Sequence, residues 1–401
     1  MNILITDGEN RSSLAVTRSL GRKGHKIVVS GKHVSAIAAS SRFCFRYCKV
    51  TDPSLNGNAY ADDILEIVRR ENIEVIFPMT EQSIYCLNRV RREIECYAIL
   101  ACAQADKMDA VSNKYRLFQL AEELKVEIPR TLYIKDNLDF LEKESSIPAF
   151  PVVVKPSFSK LEVGGRIVAG SVMFARTADE LKRLYETKEV LGYPSLIQEL
   201  ISGEGTGLFT LFDRDRHLAL FSHRRLLEKP PSGGVSVLSE SVPFAPDMVE
   251  ASHRLLAHVG WQGVAMVEFK RDIRDGKPKL MEINGRLWGS LQLAVSSGVD
   301  FPLLCLDYYL GRKPSSLFAD YLVGQRLKWH LGMLDHVIIR LRQGDRKMNL
   351  PPGTPGIVRV LGELMGLTCN PTSYDVYDPC DRGPFFTELK TYLKSLAGMA
   401  Q

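Results

Sequence analysis

The sequence predicts a chain of mixed class, an α/β unit followed by an α+β unit and a helical tail. Three observations predict it. Residues 1–105 alternate short apolar runs with helical patterns, the middle of the chain carries strand patterns paired across short turns, and beyond Gly311 the pattern is helical with a Gly/Pro interruption.

In the first unit, NILIT, HKIVVS, IEVIFP and CYAILAC read as strands, with SLAVTRSLGRKG and ADDILEIVRREN as helices between them. Strands alternating with helices of that length indicate a parallel sheet with right-handed crossovers. The loop after the first strand, TDGENRSS, lacks the G-x-G-x-x-G of a dinucleotide site, so no nicotinamide or flavin cofactor is expected. Ligands gather at the carboxyl ends of such strands. Asp7 to Asn10 and Pro78 to Gln82, Glu81 among them, are therefore candidate substrate contacts, with plain helix capping as the competing reading.

From Asp106 the pattern becomes a helix pair, DKMDAVSNKYRLFQLAEELKV, followed by the strand FPVVVKPSF, a glycine loop LEVGGR and the strand RIVAGSVMF. The helix TADELKRLYE, the strand PSLIQELI, the turn SGEGTG and a hairpin around DRD come next. A second glycine loop, KPPSGGVSVLSESV, leads to the helix DMVEASHRLLAHVG and then to the strands GVAMVEFKRD and KPKLMEIN, joined by IRDGK. The tail contains QRLKWH, whose Arg326 and Trp329 are expected on an exposed helix face, with contact to an anionic or sugar-like substrate as the competing reading, and the interruption NLPPGTPG; its role is not legible. Neither repeats nor low-complexity segments occur.

Composition limits the function classes. With 401 residues, 45% hydrophobic and 25% charged, the chain can bury two or three domain cores. No apolar run reaches the length of a membrane span, and MNILITDG enters a strand pattern without a basic leader, so a cytoplasmic location away from membranes is expected. The eight cysteines are scattered without metal-site pairing, and idle thiols are expected. The net charge of +5 is spread along the chain, which argues against a nucleic-acid partner and suits a small anionic ligand such as a nucleoside triphosphate.

The chemistry concentrates at the end of the second unit. If Lys279 to Asn284 is a strand, strict alternation puts Leu280, Glu282 and Asn284 on one face and Met281 and Ile283 on the other. A carboxylate beside an amide is a hard oxygen-donor surface of the kind Mg²⁺ or Mn²⁺ takes. Glu268 lies on the preceding strand; if the two strands form a hairpin, both acids face one cavity, where each raises the other's pKa unless a cation relieves them. Lys155 ends the PVVVK strand, its side chain expected toward the following loop, and Gly164 and Gly165 would let that loop fold over a phosphate.

In this order, these features resemble the ATP-grasp superfamily, and in particular its carbamoyl-phosphate-synthase-like and biotin-carboxylase-like carboxylate–amine ligases. The runs SHRRLLEKPPSGGVSVLSESV, GWQGVAMVEFKRD and LMEINGRLWGSLQLAVSSGVDFP look like predicted ATP-dependent carboligases. The resemblance implies an N-terminal Rossmann-like (pre-ATP-grasp) parallel sheet over 1–105, a two-lobed ATP-grasp domain over 106–314 and a helical C-terminal extension over 315–401. It implies ATP and Mg²⁺ (or Mn²⁺), with Glu268, Glu282 and Asn284 as metal ligands. Lys114 and Lys155 would reach the nucleotide, Gly164 and Gly165 would cover it, and Gln198, Glu199, Leu200 and Ile201 would hold the adenine, with Glu204 near the ribose. Arg286 would face the γ-phosphate and the acyl phosphate being formed. Arg225, Gly233, Gly234 and Ser236 match phosphate or substrate contacts, whereas Trp288 and His217, His223, His253 and His258 are expected as packing or surface residues.

The activity implied is amide or peptide-like bond formation between a small carboxylate and an amine through an acyl phosphate, with release of ADP and phosphate. An ATP-dependent carboxylase, a carboxylate–thiol ligase and a non-catalytic nucleotide-binding regulator stay open as alternatives. The oligomeric state stays open, a homodimer being the commonest symmetric assembly.

Overall fold

A computed structural model of the chain describes residues 1–396 and 398, apart from 148, 159, 164, 165, 313, 315, 346, 347, 349, 351, 352, 368 and 369. Gly164 and Gly165 thus lie outside the described residues.

The N-terminal unit is built as its alternation predicts. Strands β1 (Asn2–Ile5), β2 (Lys26–Gly31), β3 (Cys44–Lys49), β4 (Val75–Phe77) and β5 (Ile99–Leu100) form a parallel sheet in the order β3-β2-β1-β4-β5. Helices α1 (Arg11–Arg22), α2 (Gly57–Glu71), α3 (Glu81–Arg89) and the short α4 (Arg91–Ile94) complete the unit. Residues Leu14, Ala15 and Val16 are all fully buried, so α1 has almost no solvent face and is an internal brace.

After α5 (Ala105–Ser112) and α6 (Lys114–Glu123) comes a small sheet, β10-β7-β11-β6, from β6 (Thr131–Ile134), β7 (Val152–Pro156), β10 (Met173–Ala175) and β11 (Ser195–Glu199). Between β7 and β10, β8 (Lys160–Val163) and β9 (Arg166–Ala169) form a separate hairpin. Helices α7 (Asn137–Lys143) and α8 (Ala178–Thr187) cover one face, and Ile134, Phe140, Val152, Val154, Leu181 and Ile197 form a core of this lobe's own. Alternation along β7 turns Val152 and Val154 into that core and leaves Val153 and Lys155 on the other face, toward the rest of the molecule.

The large sheet has seven strands in the order β16-β15-β12-β13-β14-β17-β18. Its strands are β12 (Gly203–Asp213), β13 (Arg216–Lys229), β14 (Val235–Ser241), β15 (Gln262–Asp272), β16 (Pro278–Asn284), β17 (Arg326–Lys328) and β18 (Thr372–Tyr374). Helices α9 (Pro246–His258), α10 (Leu291–Ser296) and α11 (Phe301–Tyr309) pack on it, and its core is continuous with that of the N-terminal sheet: Ile5 and Phe77 share one cluster with Phe209, Trp288 and Leu291. Trp288 is fully enclosed, its ring against Phe209 and Phe301, as expected of scaffold.

The tail supplies α12 (His330–Gln343), α13 (Ile357–Leu364) and α14 (Gly383–Leu396), together with two short strands that its pattern did not announce. QRLKWH is not an exposed helix face. Arg326–Lys328 is β17, paired antiparallel with β14 and parallel with β18, and Leu327 and Lys328 are buried. Three residues are too few to display a period, and the partner strand lies more than forty residues further along. The tail is bound to the N-terminal unit by a buried pair, Arg18 with Asp381, whose side chains are 2% and 1% exposed. Among the described residues no helix is long and apolar enough to cross a membrane.

Candidate functional site

The hairpin β15–β16 places Glu268 directly opposite Glu282. Strict alternation does not hold along β16. A bulge breaks the register after that pair, so Phe269 faces Leu280 and Met281 is the additional residue; Leu280 and Ile283 both enter the core, while Glu282 and Asn284 face the cleft with Glu268. The expected grouping of Leu280 with Glu282 and Asn284 is thus corrected. A bulge re-aims side chains at the cost of one ladder position, and here it points a backbone carbonyl toward the small lobe.

That carbonyl has a use. Lys155 does not project toward its following loop but crosses the cleft from β7, and its Nζ donates to Met281 O at 3.3 Å, with the Phe118 ring centroid 5.3 Å away. Burial lowers the Lys155 ammonium to about 8, against the pull of Glu282. Lys114, at the first turn of α6, comes within 3.7 Å of Glu282 Oε2. Both lysines and both acids therefore meet at the seam between the lobes.

The two carboxylates are not equivalent. Burial raises the Glu268 carboxyl above its ordinary range, although the Arg225 guanidinium pairs with it and opposes the shift. Burial acts on Glu282 the same way, but Lys114, the Asn284 amide and Lys155 outweigh it and hold that carboxyl at about 2. Asn284 Nδ2 bridges the pair, at 3.0 Å from Glu282 Oε1 and 3.4 Å from Glu268 Oε1. The Glu282 side chain is 34% exposed and that of Glu268 15%, so Glu282 is the acid an entering ligand meets first.

This donor set fits a hard divalent cation. It offers two opposed carboxylates and an amide on one face, and burial raises one of the acids, a shift that further positive charge would relieve. Among the described residues no group of three or more His, Cys, Asp or Glu side chains could hold a metal, and the seam itself supplies two acids and an amide.

Around this seam the other expected residues distribute unevenly. Arg286 follows β16, its Nη2 3.4 Å from Asn284 Oδ1, and lines a cavity of about 340 Å³ with Glu268, Glu282, Asn284, Arg225, Gly234 and Ser236. Gly234 O accepts from Arg225 at 3.4 Å, and a Cβ on Gly234 would stand 2.3 Å from Lys229 O, so only glycine lets this loop approach β13. Gly233, at φ +132°, provides the turn and does not line the cavity. Glu81 sits apart, in an adjoining cavity of about 400 Å³ that shares Arg11, Val235, Arg286 and Gly289 with the first.

On the opposite side, Gln198 is buried, its Nε2 donating to Thr131 Oγ1 at 2.9 Å while its Oε1 has no partner. The Glu199 carboxylate is engaged by Arg274 at 2.9 Å and by the Arg130 amide at 3.0 Å, which lower it despite burial. Ile201 O accepts from Lys270 at 3.4 Å, and Leu200 lies between Glu199 and Ile201 in the chain. Glu204 pairs with Arg224 at 3.4 Å and lines a third cavity, of about 430 Å³, with Lys270.

Of Asp7 to Asn10, only Asn10 lines a cavity. Asp7 is partly buried and accepts from Ser83 at 2.8 Å and Thr80 at 3.2 Å, tying the first loop to the start of α3; Gly8 packs on Val29 and Glu9 accepts from the His33 amide. Sequence reasoning missed Arg11, Tyr85 and Gly289 as cavity residues. A charged residue in a helix's first turn carries no signal of which cavity it faces. His223 is packing: it is buried between Phe209 and Phe221, donating or accepting at Ser290 Oγ, and burial lowers it to about 3.

Two lobes meet at a seam of lysines and opposed acids, a charge pattern that complements a polyphosphate. In fold the chain is similar to ATP-grasp proteins. Residues 217–330 match the family described as ATP-grasp in the biosynthetic pathway with Ter operon. The chain is 25% identical over 249 residues to the D-aspartate ligase of Enterococcus faecium (strain Aus0004), a match covering 57% of this chain and 56% of that one. It therefore spans little more than half the length of that relative. Among solved structures it is similar to the L-amino acid ligase from Bacillus licheniformis, with TM-score 0.60, 16% identity, and 78% of this chain and 75% of that one covered. It is similar as well to the biotin carboxylase domain of Hydrogenobacter thermophilus 2-oxoglutarate carboxylase, solved as a dimer with MgADP, ADP and bicarbonate; there the TM-score is 0.63 at 16% identity, covering 81% and 73%.

Proposed function

We propose that the chain is an ATP-dependent carboxylate–amine ligase that forms an amide or peptide-like bond through an acyl phosphate and releases ADP and phosphate. The observation that carries this reading is the seam itself: Glu282 held ionised between Lys114 and Asn284, opposite Glu268, with Lys155 reaching in from the other lobe. Such charge is costly to bury unless it is used, and an ATP triphosphate complements it.

In this reading the substrate carboxylate attacks the γ-phosphorus of ATP in line, giving ADP and an acyl phosphate. Mg²⁺ or Mn²⁺, when bound, neutralises charge on the phosphate oxygens, and Glu268, Glu282 and Asn284 would hold it. Lys114 and Lys155 draw the triphosphate into the seam, and Arg286 offers a planar cation to the oxygens of the acyl phosphate. The amine then attacks the acyl carbon and phosphate leaves. Gln198 to Ile201 and Glu204 would hold the nucleoside end, and Arg225, Gly234, Ser236 and Glu81 the substrate end. Gly164 and Gly165 would cover the phosphates, since an acyl phosphate hydrolyses unless water is excluded. We further assign the chain to three parts, 1–105, 106–314 and 315–401, and to the cytoplasm, with a homodimer as the first assembly to test.

ATP turnover with Mg²⁺ and pooled amino acids and carboxylic acids tests the reading. ADP with phosphate, formed by the native chain and lost in Glu282→Ala, is the expected result. Release of AMP would mean an adenylating mechanism and overturn it.

A further inference from the structure

We propose that Arg11 reads the carboxylate that the substrate keeps through the reaction, held ready for it by Asp375 and Trp329 from the far end of the chain, and that the substrate bound there is an amino acid. The proposal rests on the ligase reading only in taking the cavity beside Arg286 as the substrate's.

Arg11 opens α1 and lines both the cavity of about 400 Å³ and the one around the opposed acids. Asp375 holds it on one side with a side chain only 1% exposed, and its guanidinium carbon lies 3.9 Å from the centroid of the Trp329 ring. Trp329 is fixed in turn by its Nε1, which donates to Glu388 Oε1 at 2.8 Å. An arginine clamped between an acid and an aromatic face keeps a planar edge of N–H donors in one orientation, which suits a carboxylate. Gly289 lies beside that edge, where an added Cβ would stand at ordinary contact, 3.6 Å from Arg11 Nη2, and both residues line the two cavities.

A role confined to tethering the tail does not account for this arrangement. Arg18 with Asp381 already makes a tether of that kind, wholly enclosed, whereas Arg11, backed by Asp375, lines a cavity. Glu81 lines the same cavity and would repel a phosphate-rich group, while it favours a ligand with an ammonium beside its carboxylate. The class that satisfies both walls is an amino acid, carboxylate on Arg11 and amino group on the Glu81 side.

The test is thermal stabilisation of the full chain, with MgADP present, by a panel of D- and L-amino acids and their carboxamides. At least one amino acid should stabilise the native chain, its carboxamide should not, and Arg11→Met should weaken the amino acid at least about tenfold while the response to MgADP stays the same. Should Arg11→Met alone fail to fold with Asp375 left unpaired, the double variant with Asp375→Asn removes the buried acid and serves instead. Absence of stabilisation by every amino acid would overturn the proposal, and so would equal weakening of acid and carboxamide. Binding that depends on Arg11 in a chain that releases no ADP would uphold this assignment and sink the ligase reading, so the two fail separately.

Discussion

The seam between the lobes and the cavity beside α1 are built in opposite ways. The seam's acids, amide and arginine come from one hairpin and the residues just after it, Glu268 to Arg286, so a single local fold sets their register. The cavity beside α1 joins Arg11 to Asp375, Trp329 and Glu388, which are hundreds of residues away in the chain. Chemistry that every member of a fold needs can be written into a hairpin, whereas selection of a particular ligand can draw on whatever the tail brings. The comparison predicts that changes in the seam remove turnover and spare stability, while changes on the tail side alter stability or ligand choice.

The largest effect is expected at Glu282. Its replacement by alanine should lower ADP release by roughly 10²–10³-fold or more, the scale for losing one preorganised charged group, with little change in melting temperature. Normal turnover in that variant would break the comparison at its strongest point. Lys155→Met should lower ADP release by about 10²-fold for the same reason, because its ammonium is fixed on the Met281 carbonyl of the facing lobe.

On the tail side, Asp381→Asn leaves Arg18 buried beside a neutral partner. Breaking such a pair costs about 3–5 kcal/mol, and a melting temperature lower by several degrees, read by calorimetry, is expected. The smallest effect concerns Glu388, which burial raises to about 7 from an ordinary 4.5. The folded chain then binds more protons than the unfolded one between those values, so this group's contribution to stability falls as pH rises through that window. Glu388→Gln removes the dependence, and its melting temperature should gain on the native chain by about a degree or two between pH 4.5 and 7. An identical pH profile for both chains would show that Glu388 is not where the tail's charge balance lies.

The α/β alternation of the first unit, the valine strand ending in Lys155 and the acids of MVEFK and LMEIN were all legible in the amino-acid sequence. Each is a local pattern, and period and spacing suffice to read it. The tertiary structure alone decided the bulge that turns Leu280 and Ile283 into one core, the reach of Lys155 across the cleft, the strand at Arg326–Lys328, and the meeting of Arg11 with Asp375 and Trp329. Periodicity names the faces of an element but not the partner each face meets. Contacts between distant segments depend on how sheets stack and where the tail returns, and that is set by packing over the whole molecule.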